Sequence, residues 1–319
     1  MLFTPVCDLL GMKYPIVQGG MAWIATAELA GAVSNAGGLG IIAAGSASPE
    51  WVEREICRTR ELTDQPFGLN IMLMSACASG VVDVAIRQRV PAVFTGAGNP
   101  ASLIPRFKEA GILVVPVVAS VALARRLERA GADALVAEGM ESGGHIGEVT
   151  TTVLVPQVVD AVRIPVIAAG GFADGRGLVA ALTLGAQAIQ MGTRFACSVE
   201  CIAHPRYKGR IVQSRDRCTA TTGHTLGHPV RALENAFTRR FAELERQGCC
   251  REEIENFGIG ALRKGLIEGD LEGGSLMAGQ IAGMIREILP VADIISSVMA
   301  EAEMVLRRVQ QLDRRTSRD

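Results

Sequence analysis

Between residues 14 and 195 one unit recurs eight times: a short apolar run ending in glycine or a polar residue, then an amphipathic stretch of helical period. The runs are YPIVQG (14–19), LGIIAAG (39–45), FGLNIML (67–73), AVFTGAG (92–98), ILVVPVVAS (112–120), DALVAEG (133–139), IPVIAAGG (164–171) and AQAIQMGTRF (186–195). They have the length and the Val/Ile enrichment of buried strands. The stretches between them, such as PEWVEREICRTREL and VALARRLERAG, are helical in length, and several close on glycine, as helices often do. Eight strands, each followed by a helix, is the count of a closed parallel (β/α)8 (TIM) barrel, an α/β fold. An open doubly wound sheet would usually carry G-x-G-x-x-G after its first strand, and neither that motif nor G-x-x-x-x-G-K-[ST] occurs.

The alternation breaks at His204. From His204 to Arg251 there are ten Lys or Arg against four Asp or Glu, although the whole chain is nearly neutral. The glycine-punctuated apolar pattern resumes with GGSLMAGQIAGMIREIL (273–289) and runs into a long amphipathic helix. The expected organisation is a barrel over 1–203, a small inserted domain over 204–268, and a segment over 269–319 that returns to the barrel.

A net charge of −1 excludes a whole-molecule electrostatic nucleic-acid binder. The start lacks the basic, apolar and small-residue regions of a signal peptide. The longest nearly apolar run (112–124) is too short to span a bilayer and contains Pro116. A soluble cytoplasmic protein is expected, with its eight scattered cysteines as thiols. Cys197, Cys201 and His204 lack a fourth partner at zinc spacing, so no metal is expected and the two cysteines read as buried thiols on a helix.

Barrel active sites gather at the C-terminal ends of the strands. There the first run ends in Gly20, Met21 and Ala22, the third carries Asn70, and the sixth ends in Glu138 and the loop AEGMESGGHIG (137–147) with His145. The seventh ends in Gly170 and Gly171, and the eighth supplies Gln190, Met191, Gly192 and Thr193. Glycines after the seventh and eighth strands let main-chain N–H groups close on an anion, so a phosphate-bearing cofactor is expected there. Asn70 inside an apolar strand needs a partner, either a ligand ring or another core group. Asp174 reads as a helix N-cap. His228, before Pro229, reads as a helix start.

Taken together, PIVQGGMAWIA, AGAVSNAGGLGII, PFGLNIML, GAGNP, AEGMESGGHIG, IPVIAAGGFADG, QMGTRF and GGSLMAGQIAG resemble the flavin-dependent type II enoyl-acyl carrier protein reductases. More broadly they resemble the nitronate monooxygenase (2-nitropropane dioxygenase-like) superfamily that shares their fold. The resemblance implies an FMN-binding barrel, with the smaller inserted domain covering the substrate cleft. Gly20, Met21 and Ala22 would line the isoalloxazine, and Asn70 and Glu138 would hydrogen-bond the flavin. Gly171, Gly192 and Thr193, helped by Gly170, Gln190 and Met191, would hold the phosphate, and His145 would be the catalytic group. Ser142 stands where relatives commonly have alanine. The implied reaction is reduction of a trans-2-enoyl thioester, on acyl carrier protein or CoA, with NADH or NADPH as co-substrate, in fatty-acid elongation. The basic insert would steer the acidic carrier, and the resemblance implies a homodimer. The competing readings are a nitronate monooxygenase using O2, with His145 as base, and a non-catalytic flavin- or phosphate-binding module.

Overall fold

The computed structural model describes residues 2–313, which leaves the end of the 269–319 segment outside the described residues. All eight apolar runs are strands. These are β1 (Ile16–Gln18), β2 (Gly40–Ala43), β3 (Phe67–Met72), β4 (Ala92–Gly96), β5 (Leu113–Val118), β6 (Leu135–Glu138), β8 (Val166–Ala169) and β9 (Ala188–Met191), with β7 (Gly144–His145) outside the barrel. They pair in parallel in the order β1-β9-β8-β6-β5-β4-β3-β2. The ring closes where Val17 bridges Leu39 and Gln18 N–H donates to Leu39 O at 3.0 Å. The fully buried Gln18 side chain seals the same seam, its Oε1 accepting from Ile41 N–H at 2.9 Å. The expected (β/α)8 barrel is the observed fold.

Seven outer helices come from the expected stretches. The eighth is α14 (Val291–Asp313), which packs on α8 (Gly175–Thr183) and α2 (Ala27–Asn35). Gly175 allows that contact, because a Cβ there would stand 2.3 Å from Ala302 N. Val291, Ile294, Ile295, Val298, Met299 and Ala302 are buried in this packing, while Met304, Val309 and Leu312 further along the helix are exposed. Asp174 caps α8, its Oδ1 accepting from Gly177 N–H at 3.1 Å.

Between β9 and α14 the chain builds α10 (Pro205–Val212), the hairpin β10 (Thr219–Thr222) and β11 (Val230–Leu233), then α11 (Ala236–Gln247), α12 (Arg251–Gly258) and α13 (Ala261–Leu266). Two local expectations are corrected. His228–Pro229 leads into strand β11 rather than a helix. Cys197 and Cys201 are buried as expected but lie just past the four-residue α9 (Thr193–Ala196), not on a helix. Among the described residues no helix is long and apolar enough to cross a membrane.

Candidate active site

A cavity of about 460 Å³ opens at the C-terminal ends of the barrel strands, within the size range of small-molecule sites. All the residues singled out from the sequence line it: Gly20, Met21, Ala22, Asn70, Glu138, His145, Gly170, Gly171, Gln190, Met191, Gly192 and Thr193. Asn70 makes no side-chain hydrogen bond to another described residue, so its amide is available to the cavity rather than satisfied in the core. Gly20 exists to let Asn70 stand there, since a Cβ would lie 2.5 Å from Asn70 Cβ.

Just past β8, Gly170 and Gly171 have φ of +88° and +82°, a backbone that L side chains rarely adopt. A Cβ on Gly170 would stand 2.7 Å from Gly139 O. No Lys or Arg lines the cavity, so an anion there must be held by neutral donors. Main-chain N–H groups at Gly171, Phe172, Gly192 and Thr193 have no partner among the described residues. The Thr193 hydroxyl accepts from Gly279 N–H at 2.9 Å, tying the returning segment to this wall.

The loop after β6 is fastened at three points. Glu141 accepts from Thr151 N–H at 2.9 and 3.0 Å and from the Thr151 hydroxyl at 2.8 Å. Buried Arg231 donates from Nε to Met140 O at 3.1 Å. Gly144 and His145 form β7, paired antiparallel with Arg231 and Val230 of β11. The histidine is therefore mounted on the sheet of the inserted segment while it lines the barrel's cavity. Although the residue as a whole is exposed, desolvation of its ring against the cavity wall and the neighbouring His228 hold its pKa below the ordinary imidazole value, which favours the neutral ring.

Burial pushes the Glu138 carboxyl up to about 7, against the opposing effect of the Ser142 hydroxyl. The folded chain thus keeps a proton that the unfolded chain releases between about pH 4.5 and 7, so stability falls as pH rises through that window. Glu138→Gln is expected to stabilise the flavin-free protein by about 1–3 kcal/mol at pH 8 and by nothing at pH 4. Thermal melts at the two pH values check this, and an equal difference at both would contradict it.

Sequence reasoning passed over Tyr207, Leu262, Leu266 and Ile281 as cavity residues. Met277, Ala278 and Gly279 also line it, and GGSLMAGQIAG was the one signal that this segment mattered. Gly143 abuts it, a Cβ there lying 2.6 Å from Ala278 C.

The profile of the nitronate monooxygenase family matches residues 4–80 and 75–301. The chain belongs to the nitronate monooxygenase family. It is 52% identical to FabK from Thermotoga maritima, covering 98% of this chain and 100% of that one, with a TM-score of 0.96. The nitroalkane oxidase of Streptomyces ansochromogenes is 30% identical, covering 95% and 99%, with a TM-score of 0.85. Among curated family relatives, a (3aS,4S,5R,7aS)-5-hydroxy-7a-methyl-1-oxo-octahydro-1H-indene-4-carboxyl-CoA dehydrogenase of Mycobacterium tuberculosis is 35% identical, covering 94% of this chain and 96% of that protein. A probable nitronate monooxygenase of Staphylococcus saprophyticus is also 35% identical, covering 96% and 99%. As a member of this family, the chain is an oxidoreductase.

Proposed function

We propose that the protein is a cytoplasmic FMN-dependent enoyl reductase, converting trans-2-enoyl thioesters on acyl carrier protein or CoA to saturated ones with NADH or NADPH. The observation that carries the reading is the division of one cavity. Its glycine-lined, cation-free end suits a phosphate-bearing cofactor, and Ile24, Tyr207, Leu262, Leu266 and Met277 form an apolar wall suited to an acyl chain. The likeness to FabK supports it. The site fits FMN on its own terms, because a Cβ on Gly20 or Gly170 would disturb the cradle and Asn70 offers an unpaired amide.

When bound, FMN would supply the two-electron chemistry that carries a hydride from the nicotinamide to the enoyl β-carbon, the α-carbon taking its proton from solvent. The chain's part is binding and polarisation. Met21 and Ala22 would bear on the ring, Asn70 and Glu138 would hydrogen-bond the flavin, and the main chain at Gly171, Gly192 and Thr193, with Gly170, Gln190 and Met191, would hold the phosphate. His145, kept neutral, presents a ring N–H that can polarise the thioester carbonyl. The test is anaerobic. NADH should bleach a yellow preparation and crotonyl thioester should restore the colour.

A second reading, oxidation of alkyl nitronates with O2, is favoured by the relatives named for that activity and by a neutral His145, which is also a competent base. Oxygen uptake with a nitronate, without bleaching by NADH, would select it.

Carrier steering rests on fewer cations than the ten of the insert. Lys208 is buried on Ser198 O and Cys201 O. Arg239, Arg240 and Arg251 pair with Glu234, Glu243 and Glu255. Exposed Arg206, Arg215 and Arg217 have no ion-pair partner among the described residues. Replacing these three with Glu is expected to lower kcat/KM for carrier-linked enoyl substrate by on the order of tenfold at low salt, and hardly at all for an enoyl-pantetheine. Equal losses on both would remove steering from the account. The implied homodimer belongs to the same proposal, and sedimentation tests it.

A further inference from the structure

The cavity's outer edge carries a pair of side chains that the proposed chemistry leaves unused. Trp23 sits between cavity-lining Ala22 and Ile24, has φ of +72° and is 41% exposed. A bulky residue enters the left-handed region only under constraint, and such strain gathers at ligand sites. Facing it is Arg263 of α13, next to cavity-lining Leu262, with its guanidinium carbon 6.0 Å from the indole centroid. Arg263 also pairs with Glu268. The guanidinium thus lies over one face of a partly exposed indole, in two segments adjoining the cavity lining.

Both the reductant and a CoA thioester carry adenosine diphosphate far from their reacting ends. The cavity has no Lys or Arg to meet a diphosphate, and the chain has no G-x-G-x-x-G turn to hold one elsewhere. We propose that Trp23 and Arg263 form an outer subsite for this adenosine diphosphate moiety, the adenine stacking on the indole and the diphosphate meeting the guanidinium. This rests on the enoyl-reductase reading. Stacking on an aromatic face is indifferent to which cosubstrate brings the adenine, so one subsite can serve both in turn.

The test compares wild type, Trp23→Ala, Trp23→Phe and Arg263→Ala, each loaded with FMN to the same content. Anaerobic stopped flow measures the Kd for NADH and for reduced nicotinamide mononucleotide, which lacks the adenosine. Steady-state assays give KM for crotonyl-CoA and crotonyl-pantetheine. Trp23→Ala is expected to weaken NADH roughly tenfold, the low end of base-stacking effects, while the mononucleotide shifts by less than about twofold. Trp23→Phe should recover most of the loss, and Arg263→Ala should again weaken NADH more than the mononucleotide. A selective loss on the CoA arm alone assigns the subsite to the thioester, and on both arms to the two in turn. Equal shifts with and without the adenosine moiety on both arms, or no shifts, overturn the subsite while leaving the reductase reading intact. A wild type that neither nicotinamide bleaches removes that reading and the subsite with it.

Discussion

Gly170→Ala is expected to give a folded protein that purifies colourless, with affinity for FMN reduced at least about 100-fold. The added Cβ would stand 2.7 Å from Gly139 O and 3.0 Å from the Thr151 hydroxyl, on a residue already at φ +88°. Two of these obstacles belong to other elements, the loop after β6 and the start of α7 (Thr151–Ala161). The β8 end must therefore move away from them, and the main-chain donors of the phosphate end lose their common focus. Left-handed strain adds about 1–3 kcal/mol, which a domain of this size should survive. Flavin-fluorescence titration measures the affinity and circular dichroism the fold. Gly209→Ala is the control, because its Cβ meets nothing within 4 Å and helix propensity favours alanine. A Kd within about twofold of wild type for Gly170→Ala would mean that no cofactor phosphate is held there.

The second large effect concerns His145. In His145→Ala, reoxidation of the reduced enzyme by crotonyl thioester is expected to slow by about 10²–10³-fold. Reduction by NADH should stay within a few-fold, since polarisation of the thioester is needed only in the second half-reaction. The wild-type pH profile follows from the same geometry. Desolvation of the ring lowers the imidazole pKa, so the neutral ring persists into mildly acid solution. An imidazolium donates at least as well as the neutral ring, so in this polarising role the enoyl step should not fall as His145 gains its proton, whereas a base role would give an acid limb that the mutant lacks. Stopped flow across pH decides it: a mutant that keeps the wild-type rate of the enoyl step leaves His145 as a residue that only shapes the loop.

The barrel was legible because its signal is local. Each strand from β1 to β9 in the ring lies within one short apolar run, and the glycines and polar residues that end those runs mark the catalytic rim. The site residues other than His145 were legible for the same reason, each standing within or one to four places beyond a barrel-strand end, whereas His145 stands seven places past Glu138. The misreadings share one cause. His228–Pro229 has a helix-start composition, but Ile146 N–H donates to Pro229 O at 3.0 Å and pulls the segment into a sheet. β7 is two residues in a glycine-rich loop and has no periodicity at all.

The sequence by itself determined the (β/α)8 architecture, the phosphate-suited glycines after the seventh and eighth barrel strands, and the candidacy of His145 and Asn70. Those follow from residue type and spacing along a few consecutive positions. Only the tertiary structure decided that Asn70 faces a cavity, that Arg231 holds Met140 from 91 positions away, that the first half of α14 packs inside the chain, and that Arg263 lies over the Trp23 ring. Each of these depends on which distant backbone lies opposite, a quantity set by packing the whole core and carried by no local pattern.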